Sequence, residues 1–428
     1  ACPEGLEPPT CCLEGSCSIQ LSYGQCRRRI IRRASRGLPQ NLAAMAALPD
    51  TVLNLLDLDA HAEAQLPRPI WAYVSGGVED GVSLRANRAA FERLHLVPRM
   101  LRDVSQRSAA VTLLGQRFAQ PFGIAPMGLA ALSGFEADLA MARAAQAAGV
   151  PFILSGSSLV PMEEVFAIAP NSWFQAYLPG QPERIEALLD RVARAGFRHL
   201  VVTVDLPVPA NRENLTRAGF SIPLKPSLEL ALDGLRRPRW LFGTLLRTLV
   251  QRGMPHFENL LATRNAPVFS RHVERDFINR DHLNWTHLAA LRARWPGSLI
   301  LKGILSPQDA RLAQEHGVDA LIVSNHGGRQ LDGALPPILA LPAIRKAVPE
   351  MPLLLDSGVR RGTDVVKALA LGADAVLLGR PFNYAAALGG QAGVAQAIEL
   401  LAAELHRDLA LVGATSCDDL DPSFVATG

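Results

Sequence analysis

A (β/α)8 TIM barrel with a long insertion after strand 4 is the fold this sequence predicts, on three observations. From about residue 120, short runs rich in Val, Ile and Leu recur, helix-period segments stand between them, and polar residues collect at the C-terminal ends of the runs. The runs do not alternate in polarity, as expected of parallel strands covered on both faces. An open doubly wound sheet would follow from the same alternation, so closure is left to the structure.

The runs are 122–127 (FGIAPM), 152–156 (FILSG), 173–178 (WFQAYL), 199–205 (HLVVTVD), 299–304 (LILKGI), 320–326 (ALIVSNH), 352–358 (PLLLDSG) and 375–380 (AVLLGR). Amphipathic segments at 135–148, 182–195, 307–316 and 362–371 predict outer helices, several ending near glycine. Ser155, Gln175, Tyr177, Thr203, Asp205, Lys302, Ser324, His326, Asp356 and Arg380 all lie at or beside the end of a run. In such barrels that face carries the chemistry.

The rhythm breaks at 206–298, which is longer than a helix and two loops and predicts an insertion over the active-site face. Within it, 238–257 (PRWLFGTLLRTLVQRGMPHF) is apolar with spaced arginines, and Arg247 interrupts any run able to span a bilayer. The segment suits either a membrane interface or a lid helix packed on the barrel.

With 49% hydrophobic and 19% charged residues in 428, the composition is that of a globular protein. Residues 1–44 carry six arginines against three glutamates; subtracting these from 43 basic and 40 acidic residues leaves a neutral body with 37 of each. No clustered basic face with interleaved aromatics marks it for nucleic acid. Five cysteines (Cys2, Cys11, Cys12, Cys17 and Cys26) fall in the leader without the paired spacing of a zinc knuckle, and only Cys417 lies beyond it.

Within residues 1–44, the stretch from Cys2 to Gln25 has neither helical nor strand periodicity before an arginine cluster. The leader reads as translation carried upstream through a transfer-RNA gene, with Met45 the expected start and 45–428 the catalytic domain. The competing reading is a twin-arginine signal at Arg27 to Arg36, which no sustained apolar run follows.

The loops after the last two runs read DSGVRRG (356–362) and GRP (379–381). Glycines let backbone amides approach an anion and Arg360 or Arg380 supplies charge, where a barrel commonly binds phosphate. The sixth run ends VSNHGGRQLDG (323–333), bringing His326, which titrates near neutrality, close to Arg329, whose planar fork matches a carboxylate.

The string SNHGGRQLDG resembles the active-site signature of the FMN-dependent 2-hydroxy-acid dehydrogenases and oxidases. The likeness continues through SGGVEDGVSLRANRAAF (75–91), APMGL (125–129), WFQAY (173–177), TVD (203–205), LKG (301–303) and LDSGVRRGTDVVKALALGADAVLLGRP (355–381), covering roughly residues 60 to 420. It implies FMN as cofactor. Pro126, Met127, Gly128, Ser155, Gln175, Thr203, Lys302 and Ser324 match contacts to the isoalloxazine and nearby ribityl. Asp356, Ser357, Gly358, Val359, Arg360, Gly379 and Arg380 match ribityl and phosphate contacts. Tyr73, Tyr177, Arg212 and Arg329 match substrate contacts, His326 the catalytic base and Asp205 the carboxylate that orients it, with Lys302 beside the flavin. His199, His282, His287, His316 and His406 match nothing and read as ordinary histidines.

The resemblance is strongest to the membrane-associated (S)-mandelate and L-lactate dehydrogenases, because DGLRRPRW and RGMPHFENL in the insertion are similar to theirs. It implies a small 2-hydroxy acid as substrate, quinone as acceptor, a homo-oligomer, and a cytoplasmic protein peripheral on the inner face of the cell membrane. Ser157 stands where glycolate-oxidising relatives carry tryptophan, favouring larger substrates. Gly128 stands where oxygen-using members often carry alanine, favouring a dehydrogenase over an oxidase. A different phosphate-binding barrel, with Lys302 as a Schiff-base amine, is the competing enzyme class. A flavin store or bare scaffold is the non-enzymatic one.

Overall fold

The computed structural model describes residues 47–221, 228–268, 270 and 280–428. The leader and Met45 lie outside them. Twelve strands occur among the described residues: β1 (Leu94–Leu96), β2 (Val111–Leu113), β3 (Gln116–Phe118), β4 (Phe122–Ile124), β5 (Ile153–Ser155), β6 (Trp173–Ala176), β7 (His199–Thr203), β8 (Ser298–Ile304), β9 (Ala320–Val323), β10 (Leu353–Leu355), β11 (Ala375–Leu378) and β12 (Val425–Thr427). Strands β4 to β11 are the eight predicted runs and form one parallel sheet. The ring closes at β4–β5 through a single parallel bridge, Ile124 to Phe152, with the Ile124 N–H donating to Pro151 O at 2.8 Å. Closure decides against the open sheet.

The pleat sorts the strand residues into two cores. Side chains such as Phe122, Leu154, Phe174, Leu200, Leu301, Leu321, Leu355 and Val376 face outward into the main core shared with the helices. Their neighbours Ile153, Trp173, Val201, Ile300, Ala320, Ile322, Leu354, Ala375 and Leu377 form a separate inner cluster with Leu113 and Phe118 of the antiparallel β2–β3 hairpin. That hairpin plugs the N-terminal mouth, where the Trp173 Nε1–H donates to Gln116 Oε1 at 2.9 Å. Successive residues of a strand point to opposite faces, so the next inward positions are Ser155, Gln175, Thr203, Lys302, Ser324, Asp356 and Gly379. The polar line-up at the strand ends is therefore one inward-facing layer.

Outer helices fall where the periodicity placed them: Ala137–Ala148, Pro182–Ala195, Pro307–Glu315 and Gly362–Ala370. A 33-residue helix, Arg380–Val412, runs on from β11 and is interrupted by Gly390. The predicted insertion 206–298 is shorter than expected, because its last part, Trp285–Arg294, is the barrel helix preceding β8, with Asn284 capping its N-terminus. Before it come helices Glu213–Arg217 and Leu228–Leu235, then three consecutive helical stretches: Pro238–Trp240, a π-helical Leu241–Leu246, and Arg247–Gln251.

Those three stretches bury Trp240, Thr244 and Thr248 and expose Phe242 (65%), Leu246, Leu249 and Val250 (84%). Trp240 docks by donating from Nε1 to Leu132 O at 2.8 Å. One face packs on the barrel, as a lid helix would, and the outward stripe is apolar. No described helix is long and apolar enough to cross a membrane.

Candidate active site

The inward layer at the strand ends is a floor made of two hydrogen-bonded groups. The Ser155 hydroxyl donates to Gln175 Oε1 (3.1 Å), and Gln175 Nε2 donates to Thr203 Oγ1 (2.9 Å). Across the ring, Lys302 Nζ donates to Ser324 Oγ (2.8 Å) and pairs with Asp356 Oδ2 (2.9 Å). Burial acts to lower the Lys302 pKa, but Asp356 and Asp205 outweigh it and the pKa is raised, so the ammonium stays charged. A charged amine so held is no Schiff-base nucleophile.

Ser324 Oγ also accepts the His326 N–H at 3.0 Å, tying the floor to the loop after β9. His326 takes a left-handed backbone, φ +58°, rare for a residue with a Cβ. Its Nδ1 lies 2.8 Å from Asp205 Oδ1 at the end of β7. A carboxylate only accepts, so Nδ1 carries the hydrogen and Nε2 is left basic. Burial lowers the His326 pKa, with Lys302 and Arg212 acting the same way against Asp205, and the net value lies below 6.5. Burial pulls Asp205 upward, yet His326 and Lys302 prevail and hold its carboxyl below the usual range. The imidazole is thus neutral at pH 7 beside an ionised partner.

Gly303 makes room for this pair. β8 has a register irregularity between Lys302 and Ile304, Gly303 has φ +109°, and a Cβ there would sit 2.6 Å from Asp205 Cβ. The glycine of LKG thus meets both a backbone and a space requirement.

Four arginines crowd the same mouth. Arg329 Nη1 donates to Gly76 O (2.9 Å) and Arg212 Nε to Arg329 O (3.2 Å). Arg380 donates to the carbonyls of Val74, Gly76 and Gly327, and Arg360 Nη1 to that of Val359. Burial depresses Arg329 to about 9 and Arg380 to about 10, with neighbouring guanidinium groups adding to the effect, and Arg360 is lowered chiefly by burial. Among the described residues none of the four makes an ion pair with a carboxylate. These half-buried cations hydrogen-bond to carbonyls, with Asp59 as a nearby carboxylate for Arg360 and Arg380, and the surplus of positive charge favours bound anions.

Two cavities open here. A narrow one of about 120 Å³ is lined by Pro126, Met127, Gly128, His326, Gly379, Arg380 and the whole Asp356–Arg360 loop. A broad one of about 810 Å³ is lined by Ser157, Tyr177, Arg212, Phe220 and Phe257. Tyr73, Gly128 and Arg329 line both. The Tyr73 hydroxyl donates to Gly128 O (3.2 Å), and its ring stacks on Phe220 with centroids 4.8 Å apart. Burial pushes the Tyr177 hydroxyl up to about 12, so it remains a neutral donor.

Residues 62–427 match the family described as FMN-dependent dehydrogenase. The chain belongs to that family. It is 37% identical to (S)-mandelate dehydrogenase of Pseudomonas putida over 88% of this chain and 95% of that protein. To L-lactate oxidase of Nostoc sp. it is 40% identical over 87% of this chain and 98% of that one. The crystal structure of the monotopic membrane protein (S)-mandelate dehydrogenase matches with a TM-score of 0.82 at 36% identity, covering 89% of this chain and 100% of that chain.

FMN fits the residues present. A phosphate answers the charge of Arg360 and Arg380, and Gly358 (φ +102°) lets the 356–360 loop press against helix Val82–Glu92, where a Cβ would meet Asn87 O at 2.5 Å. The narrow cavity connects this cradle to His326. Ser155, Gln175, Thr203, Lys302 and Ser324 line neither cavity and lie beneath as the floor. Asp205 lies behind His326.

Sequence reasoning named no role for three groups that the structure puts at the site: Gly303, the pair Asn87–Asn325, and Arg88. Arg88 Nη1 donates to Gly358 O (2.7 Å) and pairs with Asp364 (2.6 Å), whose carboxylate also accepts the Arg360 and Arg361 N–H groups. All fall inside strings that carried the family resemblance, but their parts depend on partners far away in sequence.

Proposed function

We propose that the protein oxidises an (S)-2-hydroxy acid with a mandelate-like or lactate-like side chain to the 2-oxo acid. The observation that carries this reading is His326, held through Nδ1 by Asp205, beside Arg212 and Arg329, neither of which pairs with a carboxylate among the described residues. In this reading Arg212 and Arg329 bind the substrate carboxylate, and Tyr73 and Tyr177 present hydroxyl groups to it. His326 Nε2 takes a proton from the substrate while Asp205 stabilises the imidazolium that results. Bound FMN supplies the two-electron acceptor. Pro126, Met127, Gly128, Ser155, Gln175, Thr203 and Ser324 shape the bed for its ring, and Lys302 places a fixed positive charge there. Asp356, Ser357, Gly358, Val359, Arg360, Gly379 and Arg380 hold its ribityl and phosphate.

The broad cavity supports a large substrate side chain, since Ser157 and Gly128 leave open a space walled by Phe220 and Phe257. The test is anaerobic mixing with (S)-mandelate and (S)-lactate separately. Bleaching of the flavin band is expected with at least one, faster with the acid the cavity suits. A flavin that stays oxidised with both rejects the substrate class.

We further infer that the acceptor is a membrane quinone and that the protein, as a homo-oligomer, sits peripherally on the cytoplasmic face. The exposed stripe Phe242, Leu246, Leu249 and Val250, with buried threonines behind it, inverts the usual polarity of a surface helix, and exposed Arg239, Arg247 and Arg252 flank it. Co-sedimentation with vesicles containing anionic phospholipid is expected, with loss on Phe242→Asp/Val250→Asp; equal pelleting of that variant removes the stripe from the account. Efficient peroxide production in air, in place of dye-linked turnover, would favour the oxidase alternative.

A further inference from the structure

The reading of His326 as the base leaves open what fixes its backbone. His326, Gly327 and Gly328 are three successive left-handed residues, with φ +58°, +68° and +72°. Such a turn needs anchors. Ser324 Oγ holds the His326 N–H and Ser357 Oγ the Gly327 N–H (2.9 Å). The third anchor is Asn325, whose side-chain Oδ1 (3.1 Å) and main-chain carbonyl (3.0 Å) share the Gly328 N–H.

The Asn325 side chain is itself gripped from outside the loop. Its Nδ2 donates to Asn87 Oδ1 (2.7 Å), and Asn87 Nδ2 donates back to Asn325 Oδ1 (2.9 Å), a reciprocal amide pair. The second Nδ2 hydrogen faces Leu335 O at 3.4 Å. Both hydrogens and both lone pairs of the Asn325 amide are therefore used, and its two backbone partners fix which way it points. Asn87 is 2% exposed and Asn325 4%, so water does not substitute for either. Asn87 stands on helix Val82–Glu92, whose Arg88 grips the phosphate-side loop through Gly358 O. One helix thus holds the loops on both sides of His326.

We infer that Asn87 and Asn325 are positioning residues: their amide clasp sets the left-handed turn that aims His326, without either residue touching substrate. The inference rests on His326 being the base. An apolar pair of similar volume would fill this space equally well, but it would leave the Gly328 N–H with the Asn325 backbone carbonyl alone (3.0 Å) and would lose the reciprocal bonds that tie the turn to helix Val82–Glu92.

The experiment compares Asn325→Asp, Asn87→Ser and His326→Gln in the FMN-loaded full chain. Asn325→Asp is isosteric but sets an oxygen against Asn87 Oδ1 and Leu335 O. Asn87→Ser removes both clasp bonds without adding charge and is the variant to read if the first does not fold. Both clasp variants are expected to retain FMN and to bind phenylacetate, an unreactive carboxylate, as the parent does. Anaerobic flavin reduction at saturating 2-hydroxy acid should fall by about 10²-fold with KM little changed, the mark of a misaimed group rather than a damaged pocket. Parental reduction rates in a folded clasp variant, with His326→Gln inactive, overturn the clasp. Equal loss of phenylacetate binding and reduction also overturns it, as a general collapse of the site. Undiminished reduction in His326→Gln instead overturns the base assignment.

Discussion

The two ends of the barrel are made from the same strands and the same pleat, yet they have opposite chemistry. At the N-terminal end the inward residues are Ile153, Trp173, Val201, Ile300 and Leu354, sealed by Leu113 and Phe118. Two residues further along each strand they become Ser155, Gln175, Thr203, Lys302 and Asp356. Apolar burial at the N-terminal end is favourable by itself. The mouth encloses charge, tolerated through paired groups such as Lys302–Asp356 and through arginines that await anions. Stability and chemistry are thus assigned to opposite ends of the same strands.

The largest effect that would test this division is at the N-terminal end. Trp173→Ala removes a fully buried indole and its bond to Gln116 and should lower unfolding stability by about 3–5 kcal/mol in denaturant titration. Reduction per bound flavin should stay near the parental rate; a large fall in it would mean that the two ends are coupled.

At the mouth the expected pattern reverses. Asp205→Asn should slow flavin reduction by about 10²-fold or more with little change in stability. Its pH profile has a defined sign. The His326 pKa lies below 6.5 and Asp205 is what raises it, so the parental rate should fall on acidification only below that pH, and the variant's acid limb should move lower still. An acid limb that does not move separates Asp205 from His326. The smallest effect concerns the substrate cavity: Ser157→Trp should cut kcat/KM for (S)-mandelate roughly 10- to 200-fold while affecting (S)-lactate less. Equal losses for both acids would show that the space beside Ser157 does not sort substrates.

The contrast also explains what could be read from sequence. All eight strands were legible because two-sided burial leaves unbroken apolar runs, and the floor layer was legible because polar residues interrupt those runs at matching positions. Trp285–Arg294 escaped notice as a barrel helix because it buries little more than Leu288 and Leu291, too thin a stripe for periodicity to register. Tyr73 and Arg212 reached the site only through family likeness, since nothing local marks them. Asn87–Asn325 and Gly303 were not legible: an amide pair separated by 238 positions leaves no spacing to detect, and the need for glycine at 303 comes from the side chain of Asp205.

One feature of the ring bears on how the protein breathes. Seven of its eight joints are strand ladders, while β4 and β5 meet at one bridge. That seam is the weakest hoop of the barrel, so amides around Ile124 and Ile153 should exchange hydrogen ahead of those along the five-pair β7–β8 ladder. Its two lips continue directly into Pro126–Gly128, which line the narrow cavity, and into Ser157, which lines the broad one. A ligand seated across them acts as a staple, and hydrogen exchange at the seam would slow when the apoprotein takes up its cofactor, long before any effect reached the opposite wall.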